Sequence, residues 1–129
     1  MNSHLTDLRL ALLNLHKTLI ESERINYEQV FGTVPTPNQL LALLTTDPWF
    51  DWLHPLSQLI VAMDTALDEK EPLTDAMVVA LFDQSRQLLR PEEDATGFAG
   101  NYFDALQHDP AVVLAHADVT KVLGPLKRG

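Results

Sequence analysis

The chain has no cysteine, and that absence removes disulfides, thiolate nucleophiles and cysteine-ligated zinc from consideration. Oxidative chemistry is left to Met1, Met63 and Met77. Basic residues are scarce: nine Lys and Arg face eighteen Asp and Glu, for a net charge of -9. An acidic surface repels phosphates and anionic headgroups, so neither nucleic acid nor a membrane is an expected partner. No apolar run approaches the roughly 20 residues of a bilayer-spanning helix. The N-terminal residues do not combine a basic region, an apolar run and a small-residue cleavage site, so the expected location is the cytoplasm. Glycine is sparse as well, and Gly97-Phe98-Ala99-Gly100 lacks the lysine and hydroxyl of a phosphate-binding loop.

What the chain does contain reads as helix. With 46% hydrophobic and 21% charged residues it lies far from disordered composition. Its 129 residues suit one domain over 1–129, with residues 124–129 expected as a frayed tail. Leu5, Leu8, Leu12, Leu15 and Leu19 recur at steps of three and four, which predicts a first helix from about Ser3 to Tyr27. Leu13, Ile20, Tyr27 and Phe31 form a second stripe beside it. Thr36-Pro37, Asp47-Pro48 and Asp109-Pro110 are helix-start signatures, a capping side chain followed by the residue best suited to a first turn. Thr74-Asp75 opens a further helix that Pro91 stops, after a charged turn at Asp68–Pro72. Phe98, Tyr102, Phe103 and Leu106 mark another helix despite Gly100, and Val112, Val113, Ala117 and Leu123 a last one. No segment alternates with period two. The expected fold is all-α, a bundle of five to six helices whose central helix is kinked by proline.

Asp47-Pro48-Trp49-Phe50-Asp51-Trp52-Leu53-His54-Pro55-Leu56 is the most distinctive stretch, since it holds both tryptophans. On an α-helix Trp49 and Trp52 share a face with Leu53 and Leu56, while Asp51 and His54 lie three apart on a flank. One reading makes the tryptophans core anchors and Asp51 a local hydrogen-bond partner of His54. The other makes the segment the wall of a pocket or interface that also takes in Tyr102 and exposes His54 as a titratable group. Pro55 has no N–H for the carbonyl of Asp51, which is expected to stay free at a kink or restart.

Other chemistry is thinly supported. The chain has no Glu-x-x-His, so a ferritin-like dinuclear centre is not expected. Asp51-x-x-His54 and Asp104-x-x-x-His108 each set a carboxylate and an imidazole on one helical face, and together are the candidate metal ligands. His16 invites comparison with a phosphotransfer histidine, but Lys17-Thr18-Leu19-Ile20 replaces the small residues expected after one. Ser3, Ser22, Ser57 and Ser85 stand outside any nucleophile motif. Arg86 and Arg90, four apart, read either as surface ion pairs or as a clamp for an anionic ligand. No motif implies a cofactor.

The run from Asp47 to Ser57, with Ile60 and Asp64 after it, resembles small uncharacterised bacterial proteins of proteobacterial type over residues 10 to 90. That resemblance implies an all-α protein and carries no activity. Charge is also unevenly spread: residues 1–63 have six acids and three bases, 64–109 eleven and three, 110–129 one and three. The leading expectation is a non-enzymatic interaction or regulatory protein whose acidic surface engages a protein partner, directly or as a homodimer. The alternative is a small-molecule-binding or metal-dependent catalytic domain with a cleft at Trp49, Trp52, His54 and Tyr102.

Overall fold

The computed structural model describes residues 2–69 and 72–124; the tail beyond Gly124 lies outside the described residues, as do Lys70 and Glu71 of the expected charged turn. Six α-helices and one 3₁₀ helix make up the described chain: α1 (Asn2–Phe31), α2 (Pro37–Thr46), the 3₁₀ helix (Pro48–Leu53), α3 (His54–Asp68), α4 (Asp75–Leu88), α5 (Gly97–His108) and α6 (Pro110–Leu123). There is no strand among the described residues, and no described helix is long and apolar enough to cross a membrane.

The leucine stripe of α1 is the axis of the bundle. Leu5, Leu8, Leu12, Leu15 and Leu19 are each fully buried, and burial of such a side chain stabilises by roughly 1.5–3 kcal/mol. Helix α1 packs chiefly on α6 and α3, and at about 1.5 Å per residue it runs for about 45 Å. It continues a turn past Tyr27 to Gly32, which adopts φ 96° and donates its N–H to the Glu28 carbonyl at 2.9 Å. Glu28 also accepts from Arg24 at 2.7 Å and from the Val34 N–H at 2.8 Å, which ties the outgoing chain to the helix. The second stripe is only partly covered: Leu13, Ile20 and Tyr27 are half-buried and Phe31 is 63% exposed.

Two polar bonds fix α3 against α1. Arg9 pairs with Asp64, and His16 Nε2 lies 2.7 Å from Ser57 Oγ. One heptad forward on α1 thus matches one heptad back on α3, so the two helices run antiparallel. His16 is half-buried in this seam rather than presented as a phosphotransfer histidine would be.

The helix-start signatures form as expected. Thr36 caps through Gln39 N at 3.2 Å, Asp47 through Trp49 N at 2.9 Å, Thr74 through Met77 N at 3.1 Å and Asp109 through Ala111 N at 2.9 Å. Asp47 and Asp109 act twice, because each also closes the preceding helix by donating its own N–H at 2.9 Å to Leu43 and Ala105. A single residue therefore turns each of these corners. Gly100 is required where α5 presses on the loop before it, since a Cβ there would sit 1.8 Å from the Ala95 carbonyl oxygen.

One contiguous core gathers the helices. In α6 it takes Val112, Ala115, Val119 and Leu123, whereas Val113 (45% exposed) and Ala117 face out. In α4 it takes Val78, Leu81, Phe82 and Ser85, with the expected Met77 turned outward.

Candidate functional site

The Trp49 segment is not an α-helix, and this changes which side chains it buries. A 3₁₀ helix has three residues per turn, so positions i and i+3 eclipse. Pro48–Leu53 is sorted accordingly into three faces: Phe50 with Leu53 is buried, Trp49 with Trp52 is half-buried, and Asp51 with His54, the first residue of α3, is exposed. The expected pairing of Trp52 with Leu53 and Leu56 as one inward face is replaced by Phe50 and Leu53 as the core anchors. The Asp51 carbonyl is not free either, because the His54 N–H donates to it in the 3₁₀ pattern, and the missing N–H of Pro55 leaves nothing unsatisfied there. His54 does not bond the Asp51 side chain; its Nε2 reaches the Leu44 carbonyl at 3.4 Å and links α2 to α3.

The half-buried indoles lead in different directions. Trp49 meets Tyr27 and Phe31 edge-on, each at 5.8 Å between centroids. Trp52 contacts Phe98 at 5.4 Å, Phe98 stacks on Tyr102 at 5.2 Å, and Tyr102 meets the His116 ring at 5.5 Å. Trp49's indole N–H is buried and has no hydrogen-bond partner among the described residues.

Both tryptophans line a groove of about 700 Å³ between α1 and α5, together with Glu23, Asp104, His108 and Asp109. Among the described residues no Lys or Arg lines it. His108 Nδ1 lies 2.7 Å from the Asp104 carbonyl, which can only accept, so the neutral ring has its proton on Nδ1 and its lone pair on Nε2. Asn26 donates its amide to Glu23 at 3.3 Å and Asn101 donates to the Gly97 carbonyl at 2.8 Å, so each keeps its side-chain oxygen as an open acceptor. Carboxylates, amide oxygens and an imidazole lone pair thus dominate the polar lining. Such a set suits a cation or a group rich in N–H donors.

The structure separates the other predicted residues from this groove. Asp51 and His54 do not line it, while Asp104 and His108 do, so the two Asp/His pairs are not joined there. Among the described residues no three His, Asp or Glu side chains gather as metal ligands. Tyr102 is not a cleft residue: it is fully buried, and its hydroxyl lies 2.6 Å from His116 Nδ1. Arg86 and Arg90 line a different opening, between α4 and α6. Glu23, Asn26 and His116 went unnoticed in the sequence. Glu23 and Asn26, three apart, flank the buried stripe of α1, which periodicity reveals; the Tyr102–His116 bond joins two helices and leaves no local signal.

Comparison with protein-family models, with curated proteins and with solved structures finds no match for this chain.

Proposed function

We propose that the protein is a non-enzymatic interaction module that receives a basic, arginine-rich segment of a partner protein in the groove between α1 and α5. The observation that carries this reading is the lining itself: two indoles beside Glu23, Asp104 and Asp109, with no Lys or Arg among the described residues that line the groove. A guanidinium stacks on indole and pairs with carboxylates more effectively than an ammonium does. The chain's excess of acids would speed encounter with a basic partner at low salt.

Tryptophan emission of the intact chain, titrated with an end-blocked decapeptide of alternating arginine and serine, tests the proposal. Saturable quenching is expected, weakened about tenfold by Glu23→Gln or Asp104→Asn and reduced by added salt. Emission that does not change, or binding indifferent to both substitutions, rejects it. The same groove also favours the small-molecule alternative, with the cleft at Trp49 and Trp52 but without His54 or Tyr102. Acetyl-arginine amide binding as tightly as the decapeptide would favour that reading.

A further inference from the structure

The second opening, about 660 Å³, lies between the end of α4 and α6, a volume in the range of small-molecule sites. Asp83, Arg86, Gln87, Arg90, His116 and Thr120 supply its polar wall; Leu89, Pro91 and Leu123 supply its apolar one. Which atoms it offers follows from a bond behind His116. The Tyr102 hydroxyl, fully buried, has His116 Nδ1 as its one hydrogen-bond partner among the described residues, at 2.6 Å. A buried O–H without an acceptor is strongly unfavourable, so the hydroxyl donates and Nδ1 accepts. The neutral ring then keeps its proton on Nε2. Burial acts in the same sense, lowering the pKa of His116 and raising that of Tyr102. His116 thus contributes an N–H donor to the wall of this opening.

Charge at the site nearly cancels and leaves one cation. Arg86 donates to Asp83 at 2.7 Å and to the Leu123 carbonyl at 2.9 Å, so it is held in place and its charge is matched. Arg90, one turn further on, is exposed and makes no hydrogen bond or ion pair among the described residues. An apolar wall, a neutral N–H donor and a single uncompensated guanidinium fit a ligand with one negative charge and a hydrocarbon body. We propose that the cavity between α4 and α6 binds a small monocarboxylate, its carboxylate received by Arg90 and the Nε2–H of His116 and its apolar body set against Leu89, Pro91 and Leu123. This site is independent of the groove and of the opposite polarity.

The imidazole ¹⁵N–¹H correlations of the full chain's histidines, followed during titration with sodium benzoate and, separately, inorganic phosphate, test it. Benzoate is expected to shift the His116 signals saturably. Arg90→Gln should weaken that response at least about tenfold with an unchanged thermal midpoint, because Arg90 is exposed. Lys17→Gln, which removes an exposed cation of α1, should leave it unchanged. A His116 signal that does not saturate, or equal weakening in the two variants, overturns the site. Phosphate saturating His116 as tightly as benzoate overturns the assignment to a monocarboxylate with an apolar body.

Discussion

The groove between α1 and α5 and the cavity between α4 and α6 each have a histidine in their wall, and the two rings are held as opposite tautomers. His108 is fixed by the Asp104 carbonyl of its own helix and keeps a lone pair on Nε2; His116 is fixed by the Tyr102 hydroxyl of the preceding helix and keeps a proton there. The same side chain is an acceptor in one site and a donor in the other, and the deciding atom in each case sits behind the ring. Net charge does not anticipate this. A chain at -9 carries one opening lined by carboxylates and another with an arginine that has no ion-pair partner among the described residues.

The contrast can be broken or sharpened in order of expected effect. Phe50→Ala should cost about 3–5 kcal/mol and disturb the groove, since Phe50 is the fully buried anchor of the tryptophan segment. Urea unfolding checks this, and a variant of near-normal stability would mean the 3₁₀ face assignment is wrong. Tyr102→Phe comes next, with a loss of about 1–2 kcal/mol. It should weaken benzoate binding while leaving the arginine decapeptide unaffected; weakening of both to the same degree would show that the sites are not separate. Asp104→Asn and Arg90→Gln form a crossed pair. Each should lower its own site's affinity about tenfold, equivalent to ~1.4 kcal/mol, and leave the other's alone in parallel titrations.

The smallest effect is on acid stability. Burial holds the pKa of His16 and of His116 below the ordinary value near 6.5. The unfolded chain therefore takes up protons that the folded chain refuses, so this contribution is whole above about pH 6.5 and declines as pH falls below it. The urea midpoint should be lower at pH 5.5 than at pH 7.5, and the difference should shrink in His16→Gln. An undiminished difference in that variant would remove His16 from the account.

Most of the architecture was legible because capping and helical periodicity are local. The five leucines of α1 and the caps at Thr36, Asp47, Thr74 and Asp109 are read from neighbouring residues and all form. Errors arose where period or partner was not local. Treating Pro48–Leu53 as α-helical assigned the wrong inward face, because a step of 120° rather than about 100° separates successive residues in a 3₁₀ turn. Of the candidate site, Trp49, Trp52, Asp104 and His108 converge on one groove and Arg86 and Arg90 on another opening, while Asp51 and His54 join neither. Tyr102 lies in the core rather than in the cleft, and its partner His116 is on the next helix, out of reach of local patterns.

The three-residue turn of Pro48–Leu53 also makes the length of this segment matter as much as its residue types. Inserting or deleting one residue would rotate everything beyond it by about 120°. Phe50 and Trp52 could then no longer serve the core and the groove at the same time, although every residue type was retained. Asp47 and the start of α3 hold the two ends of this segment with no slack between them. Its residue count is therefore the property that keeps an aromatic-rich core and an indole-lined opening side by side.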